Sequence, residues 1–190
     1  MTAMHEQEWP RPLKLTVDNF MALHEAGAFV GLSKVELIEG ELLTMSPQHL
    51  PHVWAKSQLA FRLYEALKAI HSPLVPLIEG TVAMSDVDAP EPDIVLSTAL
   101  RGRGLIPLAS VQLAIEVADS SYPFDSREKA ALYATHRIPE YWILSIAMEA
   151  VYQMWSPDQG EYRQRRTVPI GQPISSLTIP GLTVESDGLI

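Results

Sequence analysis

A single carboxylate stands inside the apolar run VQLAIEVA at 111–118. Burying an isolated charge there costs several kcal/mol, so Glu116 requires a partner. A hard divalent cation is one, because Mg²⁺ takes one or two protein carboxylates and completes its shell with waters and substrate phosphates. A second carboxylate, Asp93, opens the apolar run IVL directly behind APEPD at 89–93, where two prolines stiffen the chain into a platform suited to a ligand. Taken singly, Asp93 is more often a turn or cap residue, and Glu116 is less often a strand-edge acid facing water or an arginine than a buried acid with a partner. As a pair they point to metal-assisted chemistry. His49 and His52 make a poor zinc site without further His or Cys ligands and read as polar residues at a helix start. Arg101 and Arg103 in RGRG, with Arg163, Arg165 and Arg166, are of the type that grips phosphates, or are solvated loop and strand residues.

The elements that must position these groups follow from periodicity. Thr16 or Asp18 caps a short helix through about Glu25 that Gly27 ends. VELIEGELLTM at 35–45 alternates apolar and acidic residues around Glu39-Gly40, the pattern of a hairpin. Leu59, Leu63, Ala66, Leu67 and Ile70 recur at helical spacing in a helix from His52 to about Ala69. Strands are expected at Leu74–Ile78, Thr81–Met84, Ile94–Leu96, Val111–Ala118 and Tyr141–Ile146, with a helix from near Asp125 or Ser126 to His136. Further strands lie around Ser156–Gly160, before a turn-rich tail with Pro169, Pro173 and Pro180. Strands separated by helices, with meander segments between, argue for a mixed sheet flanked by helices.

A chain of 190 residues with 47% hydrophobic content suffices for one core. Residues 1–12, polar and proline-bearing, read as a flexible arm, and residues 13–190 as one domain. Absence of cysteine removes disulfides, thiolate nucleophiles and cysteine-bound zinc, and points to a reducing compartment, the cytoplasm. Neither a signal peptide nor a membrane span is expected. Fourteen basic against 23 acidic residues give a net charge of −9, which repels nucleic acid at long range and weighs against a nonspecific DNA-coating protein. It leaves room for an enzyme that holds nucleic acid through a local basic strip and a bound metal.

Pro92-Asp93 followed by Glu116-Val117-Ala118 resembles the PD-(D/E)XK nuclease superfamily. More narrowly, the chain resembles the Uma-two family of restriction endonucleases. The matching stretches are ELIEGEL at 36–42, MSP at 45–47 followed by His52, PEPDIVL at 90–96, IEVADSS at 115–121, DSREKAALYA at 125–134 and IPEYWIL at 138–144. The resemblance covers most of residues 16–182 and implies an α/β, restriction-endonuclease-like fold, a mixed β-sheet flanked by helices. The superfamily's lysine, two residues after the acid, is replaced by Ala118; the narrower family carries a lysine on the following helix, and the matching residue is Lys129, on one helical face with Tyr133. The family's acid before its first turn matches Glu36, although Val35 stands where an aromatic is usual and Glu39 and Glu41 compete for the role. His52 matches the family's histidine after SP and is expected near the pocket.

The resemblance thus implies Mg²⁺ or Mn²⁺ held by Asp93, Glu116 and Glu36, with Lys129 orienting water or stabilising the transition state. His52, Tyr133, Arg101 and Arg103 would support it or touch substrate. The reaction would be hydrolysis of DNA phosphodiester bonds, by a homodimer as in superfamily relatives. Two other readings compete. One is a catalytically inactive interaction or scaffold protein, favoured by the acidic charge and the absent strand lysine. The other is a carbohydrate hydrolase using Asp93 and Glu116 as an acid and base pair without metal.

Overall fold

The computed structural model describes residues 12–190; the expected N-terminal arm, Pro12 apart, lies outside the described residues. Helix α1, Val17–Glu25, starts at Thr16, whose hydroxyl accepts from the Asn19 amide while the Asn19 side chain accepts from the Thr16 amide. That reciprocal bonding satisfies two amide donors at the helix start. Strands β1, Val35–Ile38, and β2, Glu41–Thr44, form the expected hairpin. Glu39 and Gly40 turn it with φ of 51° and 73°, the left-handed pair that a two-residue hairpin turn needs. At Gly40 a Cβ would lie 2.8 Å from Lys14 Cβ and 3.1 Å from the Leu15 carbonyl oxygen.

Helix α2, Leu50–Ala69, is followed by β3, Val75–Ile78, β4, Val82–Ala83, β5, Ile94–Ser97, β6, Ile106–Pro107, and β7, Val111–Ala118. Then come a short helical turn α3, Tyr122–Phe124, a π-helical turn, Asp125–Lys129, and helix α4, Ala130–Thr135. Strands β8, Glu140–Ser145, β9, Ala150–Asp158, and β10, Glu161–Pro169, complete the main sheet, and β11, Ile174–Ser175, pairs with β12, Thr183–Val184. The six-stranded sheet runs β10-β9-β8-β7-β5-β3. Only β7 and β8 pair in parallel within it. A parallel pair needs a crossover, which the segment from α3 to α4 supplies.

Period-two alternation assigns the two faces. Leu113, Ile115 and Val117 of β7 pack with Leu59, Leu63 and Leu67 of α2, while Ala114 and Ala118 pack with Tyr133, Ala134 and Tyr141 on the α4 side. Glu116 therefore points to the α4 side. Among the described residues no helix is long and apolar enough to cross a membrane.

Three expectations need adjustment. The helix expected from about residue 125 opens with a π-helical turn, which apolar periodicity does not distinguish from an α-helix. The strands expected around Ser156–Gly160 are the tip of a hairpin that extends over 150–169, because β10 exposes an unbroken run of polar residues, 163–167, with few apolar ones to mark it. The strand expected at Thr81–Met84 shrinks to Val82–Ala83, paired with β6.

Candidate active site

Strand register brings the two carboxylates together. Ile94 on β5 faces Ile115 on β7 in antiparallel pairing, so one step further Asp93 lies opposite Glu116, where Cβ atoms are about 5 Å apart. The Asp93 amide donates to Glu116 Oε2 at 3.3 Å, and the Val117 amide donates to Asp93 Oδ2 at 2.9 Å. The hairpin delivers the third acid. Leu37 and Ala89 exchange backbone hydrogen bonds, which seats Glu36 beside the strands with its side chain fully buried. Its Oε1 accepts from the Glu91 amide at 3.2 Å and from Lys129 Nζ at 3.0 Å, while Oε2 is buried without a hydrogen-bond partner.

Lys129, at the end of the π-helical turn, also donates to Glu116 Oε1 at 2.8 Å, and Tyr133 one turn on donates to the same oxygen at 2.7 Å. Helical spacing thus puts ammonium and phenol on one face. From the other side of the sheet edge α2 contributes His52, with Nε2 3.2 Å from Asp93 Oδ2, and Nδ1 buried without a partner. His52, Asp93, Glu116 and Lys129 border a cleft of about 670 Å³ that Lys34 and Asp125 also line, while Glu36 and Tyr133 are buried behind it.

The electrostatics divide the acids. Burial pushes the Glu116 carboxyl up to about 7, with Lys129 opposing the rise and Asp93 adding to it. Burial also works to raise Asp93, but the His52 hydrogen bond, the charges of Lys34 and His52 and the Val117 amide outweigh it and hold Asp93 well below the usual carboxylate range. Two neighbouring carboxyls driven apart in this way are a pattern found at functional sites. Burial would strip Lys129 of its proton, yet Glu116 and Glu36 hold its ammonium charged beyond the ordinary lysine value.

The structure brings Glu36, Asp93, Glu116, Lys129, Tyr133 and His52 into one cluster. It does not bring the arginines there: Arg101 and Arg103 stand exposed between β5 and β6, Arg163 pairs with Asp158 and Glu161 at the sheet edge, Arg165 is exposed on β10, and Arg166 donates to Gln153 and the Ser175 carbonyl. The polarity of the RGRG loop reflects solvent and not the cleft. His49, at the start of α2, lines the cleft rim without capping the helix through its side chain.

Sequence reasoning missed two lysines. Lys34 Nζ lies 3.2 Å from Glu36 Oε1 with its side chain only 12% exposed. Lys56, buried, bonds Glu79 and Gln48 and lies 3.5 Å from Asp93 Oδ1. Both left a signal. Lys34 precedes Glu36 by two residues and so shares its face at the start of a strand, and Lys56 falls at i+4 from His52, on the same side of α2 as buried Leu59, Leu63 and Leu67. Charged residues on faces that must be buried require partners.

A mixed sheet whose adjacent strands present paired acids, with a lysine on the crossover between the parallel strands, is the arrangement of a nuclease-like α/β fold. The chain matches the Uma2 family, described as "Putative restriction endonuclease", over residues 20–187, and it belongs to that family. Its fold is similar to the crystal structure of a putative nuclease belonging to DUF820 from Anabaena variabilis, with a TM-score of 0.64 and 16% identity over 88% of this chain and 90% of that one. No curated protein matches the chain.

Proposed function

We propose that the protein is a metal-dependent endonuclease that hydrolyses DNA phosphodiester bonds at the Asp93–Glu116 cleft. The observation that carries this reading is the convergence of three buried acids from three distant segments: Glu36 and Glu116 meet on Lys129, Asp93 lies against Glu116, and Asp93, Glu116 and Lys129 line an open cleft. Structural salt bridges do not need a cleft; substrate does.

The donor set suits a hard cation. It is all oxygen, it includes the unpartnered Glu36 Oε2, and Mg²⁺ or Mn²⁺ needs only one or two carboxylates from the protein. Among the described residues no three His, Cys, Asp or Glu side chains close around an ion by themselves, so waters and substrate phosphate would complete the shell. Asp93 and Glu116, with Glu36 behind them, would hold the metal, which when bound lowers the pKa of a water and polarises the phosphoryl oxygen.

The chain's own groups do the rest. Tyr133 and Lys129 fix Glu116 Oε1, so the carboxylate cannot rotate away from Asp93. Lys129 carries a permanent positive charge at the cleft wall, where it stabilises negative charge developing on the phosphorus oxygens. Lys34 lines the same cleft, and its ammonium offsets the repulsion that a net charge of −9 imposes on DNA. Family and fold support a nuclease; the DNA substrate and the ion are our reading. Its expected setting is the cytoplasm, since the chain has no cysteine to protect.

A specific observation favours the inactive-scaffold alternative: Lys34, Lys56 and Lys129 already pair with the three acids, a network that balances charge with no ion. One assay separates the readings. Linear, supercoiled and single-stranded DNA are incubated with the protein in Mg²⁺ or Mn²⁺, with and without chelator, beside Asp93→Asn. Cleavage that requires both the ion and Asp93 supports the proposal. Binding of Mn²⁺ without turnover on any form leaves the scaffold reading, and no binding of Mn²⁺ removes the metal site.

A further inference from the structure

Helix α2 is apolar on two opposite faces. One face, with Ala55, Leu59, Leu63 and Leu67, is buried against the sheet. At 100° per residue, Leu50, Val53, Trp54, Ser57, Phe61 and Tyr64 fall within an arc of about 100° on the other side. They are open: Leu50 is 77% exposed, Val53 41%, Trp54 55%, Phe61 64% and Tyr64 49%. Aromatic side chains present about 150–250 Å² each, so the stripe leaves roughly 500 Å² of contiguous apolar surface. The largest apolar patch on a typical monomer is about 300–600 Å² and is often functional.

We propose that this face of α2 is where a second copy of the chain docks, helix against antiparallel helix about a two-fold axis near Ser57. The order of side chains is the first argument. Reading outward from Ser57 gives Trp54 and Leu50 in one direction and Phe61 and Tyr64 in the other, so a two-fold axis there sets Trp54 beside Phe61 of the partner subunit and Leu50 beside Tyr64 of the partner subunit. An isologous interface requires this self-complementarity. Ser57 places a small side chain at the crossing point, where helix axes approach to about 8–10 Å. Charge is the second argument. Two copies at −9 each repel across most of their surface, but the stripe is uncharged until Glu65 and Lys68 at its end, and Arg62 lies about 80° further round the helix than Trp54, donating to the Glu185 and Asp187 carbonyls. Area is the third. Stable pairs bury about 800 Å² per partner with aromatics at the centre and a polar rim, so the stripe supplies the centre and its flanks the remainder.

The chain's lack of cysteine makes the test clean. Mass is measured by light scattering from low to high micromolar protein, for wild type, Trp54→Ala and Phe61→Glu. In parallel, Ser57→Cys is treated with a short bis-maleimide, with exposed Gln172→Cys as control. Expected are a concentration-dependent dimer of wild type, association at least about tenfold weaker in both variants with secondary structure retained, and crosslinking of Ser57→Cys alone. A single-chain mass at every concentration overturns the proposal, as does a dimer indifferent to both variants. So does a monomer whose Trp54 is instead shielded by single-stranded DNA or by anionic vesicles, which would give the face another occupant.

Discussion

Glu116 accepts from Lys129 and Tyr133 and yet holds a proton more tightly than an ordinary carboxyl, because burial, with the nearby Asp93 and Asp125, outweighs the ammonium groups of Lys129 and Lys34. With its folded-state pKa raised to about 7 from an ordinary 4.5, the native protein holds a proton that the unfolded chain releases between those values. Native stability contributed by Glu116 is therefore full below pH 4.5 and is lost as pH rises through 7. Glu116→Gln keeps shape without the charge, and Lys129 retains Glu36 as its partner. The variant should thus be at least as stable as wild type at pH 7.5, and the fall in wild-type stability between pH 5 and 7.5, of order a few kcal/mol, should flatten in chemical denaturation curves. Unfolding of the variant at lower denaturant at pH 7.5 would instead make Glu116 an anchor. If Glu116 is a metal ligand, stabilisation by Mn²⁺ should also shrink, since a ligand that binds only the native state stabilises through its affinity. Lys129→Met should behave oppositely. It leaves Glu36 and Glu116 buried without their shared cation, a loss of about 3–5 kcal/mol, and adding Glu36→Gln should restore part of it. In the nuclease reading kcat falls about 10²–10³-fold whether or not stability is restored. The acids of this site were legible in the sequence because a charge inside an apolar strand is conspicuous. Lys34 and Lys56 were less so, because lysine on a hairpin or helix is ordinarily solvated.

At the level of elements, each acid depends on how its segment is held. Glu36 reaches Lys129 because the β1–β2 hairpin turns tightly at Gly40, where Leu15 donates its amide to the Gly40 carbonyl and no room remains for a Cβ. Gly40→Ala combines strain at positive φ with a clash against Lys14 and Leu15, so it should cost about 1–3 kcal/mol. A melting temperature lowered by several degrees checks this. Because Glu36 sits on that hairpin, Mn²⁺ stabilisation should weaken in the variant as well, although no ligand has changed. Glu140 plays a comparable part for the tail. Its buried carboxylate accepts from Ser176, the Leu177 and Thr178 amides and the Thr178 hydroxyl, which ties the turn-rich C-terminal stretch to the start of β8. Hairpin, long helix and β7 were readable from periodicity, as their apolar spacing is regular. The extent of β10 was not, since Glu161, Arg163, Gln164, Arg165, Arg166 and Thr167 are all exposed and mark no buried face. Nor was the tail's attachment, which joins hydrogen bonds to one distant acid with buried Ile174, Ile179, Leu182 and Val184, spaced without a helical or strand period.

For the whole molecule, the decisive property is a net charge of −9 around a cleft that holds lysines. A protein that binds DNA through many exposed cations releases a counterion for each phosphate neutralised, and its affinity falls steeply with salt. Here the cations at the cleft are few: Lys34 and Lys129, with Lys56 buried behind Asp93. The exposed Arg101 and Arg103 lie outside it. If DNA enters at this cleft, about two or three phosphates are neutralised, and the slope of log Kobs against log salt should be about −2 to −3. Long-range repulsion adds a second signature. Salt screens it over a Debye length of about 10 Å at 0.1 M, so the association rate should rise with ionic strength, or stay flat, while dissociation quickens. Stopped-flow anisotropy with a labelled oligonucleotide, Ca²⁺ held constant in place of Mg²⁺, reads both quantities. Lys34→Gln should reduce the slope by about one, because one phosphate contact is lost from a set so small. A slope steeper than about −5 that is relieved by Arg101→Ala with Arg103→Ala would move the DNA path out of the cleft and onto the arginine loop.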